Sequence, residues 1–505
     1  MRYLFPFGRT QVGGAARALG TQEKAMQIRS CSRTLPSACR SYRRGALLGW
    51  LAGGIVLALL LGWSSPAQAI PAFARKYGTS CLTCHTVYPK LTPFGEAFRR
   101  NGFRFPGTDS DFVKQDPVPL GQEAYKEVFP AMAWPGTVAS SAPIAVGFNG
   151  QAVAHPSKTS GAAVADNGAR FSLDNLMAEG HLWAGGSFDD KTTFFGEITF
   201  ASDHVEIEHA RVQFNDLVGP KHAVNLSVGK QFASLSSFGP HSSYVADVLI
   251  PPLAVSGLYG STDPSWNVAD KYNSIELTSI INGRFNMAVG IAAGANPGVA
   301  LSNNVYAHAG YKLGGMRLDG EGAAGPANPM KPWAERAVTL DVFAYHAEST
   351  FGMSNGATPP VSVGLDDKIW SFGAGLRAQL DSLELDAGIY QERHSQVLAD
   401  GTGIHALSQY EELSYVVFPW MVPAIRVELS QLQPSGGASI HDLRIIPGIA
   451  FLVRPNLKLS LIGLIEQANG MPDGGWGNAG GSATPAQGTS TKEIESIVGA
   501  FAFAF

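Results

Sequence analysis

From Ile144 to the C-terminus, apolar and polar side chains alternate in repeated short runs. This is the period-2 signature of β-strands whose two faces meet different surroundings. Trp370, Phe372, Ala374, Leu376, Ala378 and Leu380 interleave with Ser371, Gly373, Gly375, Arg377 and Gln379. After Asp381-Ser382 the pattern resumes, with Leu383, Leu385, Ala387 and Ile389 set against Glu384, Asp386, Gly388 and Tyr390. It recurs around Ala210, Val212 and Phe214, around Ile425, Val427 and Leu429, and around Leu457, Leu459 and Leu461. Asn282-Gly283, a favoured hairpin turn, and Arg454-Pro455-Asn456 separate consecutive runs, which predicts an antiparallel meander.

The alternation predicts about sixteen strands of roughly eight to thirteen residues. They start near Ile144, Leu176, Thr193, Ile207, His222, Ser274, Phe285, Asn304, Val338, Lys368, Leu383, Tyr410, Pro423, Leu443, Leu457 and Ile494. Strands of an outer-membrane barrel need only about ten such residues, with the apolar face on lipid and the polar face on a lumen. In the last run Ile497, Gly499, Phe501, Phe503 and Phe505 share a face. The terminal aromatic resembles the insertion signal of outer-membrane barrels. A soluble sandwich would alternate too, but needs no such ending. The predicted fold is therefore mainly β: a transmembrane antiparallel β-barrel over 141–505, preceded by a small α-helical domain over 70–140. Ala233 to Lys271, Ala323 to Arg336, Thr350 to Asp367 and Ala468 to Thr491 interrupt the meander and are expected as extracellular loops, with polar wall residues such as Glu197, Arg211, Arg426 and Glu428 on the lumen.

Composition agrees with a membrane or secreted β protein. Only 15% of the 505 residues are charged, while glycine numbers 58; ordinary soluble domains run near 25% charged. The first 69 residues stand apart, with nine Lys or Arg and a single acid, Glu23. An uncharged apolar run, Ala46 to Trp63, leads to Ser64-Ser65-Pro66-Ala67-Gln68-Ala69, the small-residue pattern of a secretory cleavage site. Residues 1–69 are thus expected to be a signal peptide cleaved after Ala69; an uncleaved anchor is the alternative, and Met26 competes with Met1 as the true start. Removing nine basic residues and one acidic residue from totals of 37 and 41 leaves 28 and 40, so the mature chain carries about twelve excess negative charges. That balance gives no support to nucleic-acid binding, which needs a concentrated basic surface.

The mature chain keeps only Cys81 and Cys84, in Cys81-Leu82-Thr83-Cys84-His85. C-x-x-C-H is the spacing of covalent haem attachment: two thiols become thioethers and the adjacent imidazole becomes the proximal iron ligand. A thioredoxin-like pair would sit beside a βαβ pattern, and a structural zinc site would want two further ligands nearby. Neither is present between Ile70 and Gly150, where no other His or Cys occurs. The cofactor expected is one haem c, with Cys81, Cys84 and His85 as its attachment residues.

The surroundings suit a haem-packing unit. Phe73, Tyr77, Tyr88, Phe94, Phe98, Phe103 and Phe105 crowd this stretch, and Thr92-Pro93 starts a helix that Asn101-Gly102 stops. Phe94, Ala97 and Phe98 share one face of that helix. Arg75, Lys76, Arg99, Arg100 and Arg104 offer partners for haem propionates, or else make ordinary solvated surface. For the sixth ligand the sequence offers Met132, with His155 next and an open position as the third option; a methionine would raise the potential relative to a second histidine.

The run Phe73-Ala74-Arg75-Lys76-Tyr77-Gly78, through the C-x-x-C-H, to Pro89-Lys90-Leu91-Thr92-Pro93-Phe94-Gly95 and on to Phe98 and Asn101-Gly102, resembles the fused monohaem cytochrome-porins, the outer-membrane iron-oxidase-like c-type cytochromes. The specific match is confined to this segment; the remainder agrees only in architecture. The resemblance implies a cytochrome held at or inside the mouth of its own barrel in the bacterial outer membrane. It implies electron transfer from an extracellular donor, Fe(II) or another redox metal, to a periplasmic electron carrier, and hence an Fe(II)-oxidising oxidoreductase. No iron-substrate motif carries over. A porin-like solute channel with a structural or sensory haem plug remains a second expectation, and haem peroxidase or ligand-binding chemistry at an open sixth position a third.

Overall fold

The computed structural model describes residues 72–106, 109, 117–119, 137–139, 144–154, 171–173, 176–201, 204–234, 271–293, 300–354, 362–396, 402–435, 439–471 and 490–504. The expected leader, Met132, His155 and Phe505 lie outside the described residues. The N-terminal segment forms three short helices, α1 (Ala72–Tyr77), α2 (Cys81–Cys84) and α3 (Pro93–Arg100). A small pair, β1 (His85–Val87) with β2 (Lys90–Leu91), lies between α2 and α3, and a second pair, β3 (Pro117–Pro119) with β4 (Thr137–Ala139), follows.

Everything after is one closed antiparallel barrel. Its segments are β5 (Ile144–Ala154), β6 (Phe171–Ser172), β7 (Glu179–Ser187), β8 (Thr192–Ala201), β9 (Val205–Phe214), β10 (Asn225–Phe232), β11 (Lys271–Ile281), β12 (Phe285–Ala292), β13 (Ala300–Gly314), β14 (Glu335–Ser354), β15 (Ser362–Asp381), β16 (Leu383–His394), β17 (Ile404–Tyr415), β18 (Met421–Pro434), β19 (Ile440–Arg454), β20 (Leu457–Met471) and β21 (Ser490–Ala504). Because β6 and β7 both pair with β5, these make sixteen staves. Closure comes from β21 on β5, with Ala504 opposite Gly147 and Ile497 opposite Ala154. Each predicted run corresponds to one stave, in order.

The pleat sorts the side chains as the alternation predicts. Trp370 and Phe372 are 45% and 46% exposed on the outer face, while Ser371 between them is fully buried inside. Glu197, Arg426 and Glu428 are buried on the inner face. Hairpin chemistry follows too: Asn282 and Gly283 have φ of +53° and +65°, a left-handed pair at the centre of a tight turn that the Arg284 amide closes on the Ile281 carbonyl at 3.1 Å.

Two expectations are corrected. Most of Thr350 to Asp367 is strand, since β14 and β15 each run for 20 residues. Backbone pairing carries the two strands through it, from Thr350 opposite Asp366 to Ser354 opposite Ser362. The Ala323 to Arg336 stretch belongs to the β13–β14 connection, at the end of the barrel where β5 starts and β21 finishes, not with the loops of the opposite end.

That connection explains itself by what it touches. Tyr77, Phe94, Phe98 and Phe105 form a buried cluster with Phe73 and Phe103 at its margin, and Met316 and Ala323 pack against it. Buried Asn101 donates from Nδ2 to the carbonyl of Asp319 at 2.8 Å and to that of Ala97 at 2.8 Å. The N-terminal segment is therefore a plug docked on the barrel. Lys90, fully buried, pairs with Glu384 and, at 2.7 Å, with Asp386 on β16. Arg104 meets Asp216 at 3.8 Å, and Arg75 donates to the carbonyl of Ile144.

Candidate functional site

The C-x-x-C-H segment is shaped by hydroxyl caps. Ser80 caps α2, its Oγ accepting from the amide of Leu82 at 3.3 Å, and the hydroxyls of Thr79 and Thr83 lie 2.6 Å apart. Thr92 then ties α3 to α2: its hydroxyl donates to the carbonyl of Thr83 at 2.8 Å and accepts from the amide of Gly95 at 3.1 Å. Its own amide donates to the carbonyl of Cys84 at 2.9 Å. The approach is so close that a Cβ on Gly95 would fall on the Cys84 carbonyl oxygen, which is why glycine stands there.

Cys81 and Cys84 sit on one helical turn as free, half-buried thiols. Burial raises both, and pushes Cys84 up to about 12. His85 follows at the start of β1. Burial lowers its imidazole to about 4, against the opposing pull of backbone hydrogen bonds with Pro89 and Lys90. The ring is neutral at physiological pH, and its Nδ1 is buried with no hydrogen-bond partner.

All three residues line one cavity of about 340 Å³, shared between plug and barrel wall. From the wall come Trp183, Phe195, His209 and Arg211 among others. Tyr88 turns away from the plug's aromatic cluster to face Trp183, ring centroids 6.5 Å apart. Phe73 stacks on Phe103 at 5.2 Å, and Phe103 meets Phe195 at 4.8 Å, so aromatic packing runs from plug to wall without a break.

Cations outnumber anions at the margin. Arg99, Arg100 and Arg377 converge on Glu96, at 3.4, 3.7 and 4.0 Å, while Arg211 lies over the Phe103 ring at 5.0 Å. The Nε atoms of Arg99 and Arg100 are buried without a partner. Burial lowers the Arg100 guanidinium from its usual range, with the neighbouring positive charges of Arg99 and Arg377 adding to the shift and Glu96 opposing it. A carboxylate-bearing ligand would relieve that excess.

No family model matches the sequence, and no curated protein matches it either. Solved structures similar in overall plan include an anion-selective porin from Comamonas acidovorans, 12% identical, with a TM-score of 0.47 over 72% of this chain and 99% of that one. OmpT, an outer membrane protein of Vibrio cholerae in its trimer form, gives 0.45 at 11% identity over 72% and 98%. OmpF of Salmonella typhi in complex with daunomycin gives 0.44 at 10% over 72% and 97%. The barrel assignment rests on the strand pairing itself.

These residues fit a covalently held haem. Two free thiols at the attachment spacing, a neutral imidazole with one unpartnered nitrogen, aromatic walls and a cationic margin are its requirements. Among the described residues no group of three or more His, Cys, Asp or Glu is arranged to hold a bare metal ion. Of the residues the sequence singled out, Cys81, Cys84 and His85 come together, whereas Met132 lies outside the described residues. Sequence reasoning missed Trp183, His209 and Arg377, which reach the cavity from strands β7, β9 and β15; nothing local marks them.

Proposed function

We propose that this chain is an outer-membrane barrel whose lumenal plug carries one haem c, and that it passes single electrons between an extracellular donor, Fe(II) by preference, and a periplasmic carrier. The observation that carries the reading is the C-x-x-C-H segment itself: free thiols and a neutral, partly unpartnered imidazole at a cavity inside a closed barrel. The barrel sits in the bacterial outer membrane, because its outer face is apolar and closure leaves no strand edge to lipid. The end holding the plug, both strand termini and most of the short turns faces the periplasm.

A bound haem would supply reversible one-electron chemistry. Cys81 and Cys84 hold it, His85 orients it, Arg99 and Arg100 offer charge partners for its carboxylates, and the aromatic wall excludes water. No acid, base or nucleophile is needed. A haem-free barrel would be an ordinary conduit for solutes, so the haem is what makes an electron path through an insulating layer.

A second reading, a porin-like solute channel with a structural or sensory haem plug, is favoured by the polar inner wall, where Glu197, Arg426 and Glu428 are buried toward the lumen. One experiment separates the two. Purified protein is denatured, stained for covalent haem, and in native form mixed with Fe(II) in a stopped-flow spectrometer. Reduction within seconds supports electron transfer. A stained protein that Fe(II) and other extracellular donors leave oxidised, yet which passes solutes in liposomes, supports the channel; absence of covalent haem sinks both.

A further inference from the structure

The barrel wall presents one side chain with the disposition of a metal ligand. His209, on β9, is 91% buried and borders the same cavity as His85. Its Nδ1 faces Glu197 Oε2 at 3.1 Å, across the β8–β9 pair in which the two residues lie directly opposite. Glu197 is itself braced, its other oxygen 3.3 Å from Nδ1 of His181.

A carboxylate on Nδ1 fixes an imidazole's tautomer with the proton on that nitrogen, so that Nε2 carries the lone pair. This is the outer-shell arrangement found behind metal-ligating histidines. Among the described residues no group hydrogen-bonds Nε2 of His209. The ring is held by edge-on contacts with Phe195 and Phe232, centroids 5.4 and 4.9 Å away. Phe195 in turn meets Phe103 of the plug, so a single ring separates His209 from the plug, and the cavity it borders is the one that Cys81, Cys84 and His85 line.

We propose that His209 is the sixth ligand of the haem, so that the plug supplies one axial ligand and the barrel wall the other, with Glu197 as the positioning residue. This rests on the haem reading above. It replaces Met132 and His155, the candidates the sequence offers. A second imidazole gives a lower potential than methionine would. The haem then also fastens plug to wall: axial coordination crosses their interface, and extracting the plug requires breaking it.

The test uses the full-length protein in detergent, with heat-modifiable gel mobility reporting that the barrel is folded in each sample. Covalent haem stain and a pyridine haemochrome spectrum come first, and a wild type without them overturns the haem reading along with this one. With haem present, wild type is expected to be six-coordinate and low-spin, with the near-infrared and electron paramagnetic signature of two axial histidines. His209→Ala is expected to keep its covalent haem and turn high-spin. His209→Met is expected to stay low-spin, gain a sulfur-to-iron charge-transfer band and rise in potential. Glu197→Gln is expected to stay low-spin with an altered potential, which a merely structural glutamate would not produce. Imidazole added to His209→Ala is expected to restore the low-spin spectrum. A low-spin, wild-type spectrum in His209→Ala, or its loss in Met132→Ala or His155→Ala instead, overturns the assignment while leaving covalent haem intact.

Discussion

Replacing Lys90 by alanine removes one cation from a buried group of charges and provides a stringent test of how the plug is held. Lys90 has no exposed side-chain surface, and its ammonium contacts Glu384 and, at 2.7 Å, Asp386. Among the described residues Arg377 is the other cation paired with them, with Nε 2.8 Å from Glu384 and 3.9 Å from Asp386. Losing Lys90 leaves two neighbouring carboxylates to share one guanidinium that also serves Glu96. Breaking a buried pair on one side costs about 3–5 kcal/mol; the Arg377 contacts place the expected cost at the lower limit, about 3 kcal/mol. Because Lys90 is on the plug and its partners are on β16, that cost falls on docking rather than on the barrel. The population of undocked plug should rise on the order of a hundredfold, and limited trypsin cleavage at Arg99 and Arg100 should rise in proportion while reclosing outpaces cutting. Barrel melting should hardly change. The double variant with Asp386→Asn should recover part of the loss, since the unpaired charge is what costs most. A cleavage rate in Lys90→Ala within threefold of wild type would refute the assignment of this cluster as the lock.

Three further outcomes follow from the plug's geometry. Gly95→Ala places a methyl group on the Cys84 carbonyl and should destabilise the α2–α3 contact by about 1–3 kcal/mol, read as a fall in covalent haem per folded barrel. Asn101→Ala takes the side-chain donor from the buried carbonyl of Asp319, while that of Ala97 keeps the Asn101 amide at 3.0 Å, and should cost about 1–3 kcal/mol, read as faster hydrogen exchange over residues 93–102 and 316–323. In haem-free protein the Cys84 thiol, pushed up to about 12, is protonated at pH 7, so the thiolate grows only as pH climbs toward that value. Iodoacetamide labelling at pH 7 should then be on the order of a thousandfold slower than for the unfolded chain. Fast labelling at neutral pH would show that the turn is open.

Much of the barrel was legible because one physical rule governs it: a sheet between lipid and lumen must alternate, and β16 and β17 show that along their whole length. The helix from Thr92 to Asn101 was equally plain, since cap, proline and stop are local signals. Elsewhere the deciding contacts are remote. The stretch Ala323 to Arg336 looks like any long polar loop; strand order puts it at the plug end, but that its connection grips the plug shows only in Asp319 meeting Asn101, 218 residues away. Lys90 reads as a surface lysine until strand β16 arrives beside it. Tyr88 sits in an aromatic-rich run, yet its neighbour is Trp183 on the wall. Cys81, Cys84 and His85 stand out as candidates from spacing alone, whereas the wall's share of the cavity, His209 and Glu197 included, has no motif: it exists only once strands β7 to β9 curve round the plug.

The separation of 296 positions from Lys90 to Asp386 also imposes an order on assembly. The plug leaves the translocation machinery first, and its anchoring carboxylates do not exist until β16 is made and the wall has curled to meet it. Until then Lys90 is solvated and the aromatic cluster of Tyr77, Phe94 and Phe98 must hold the N-terminal segment together unaided. On the proposed haem reading, the thiols are open to an attaching enzyme in the interval before the cylinder shuts. Loading the cofactor early and closing the wall later would make the finished barrel a record that the first step had been completed.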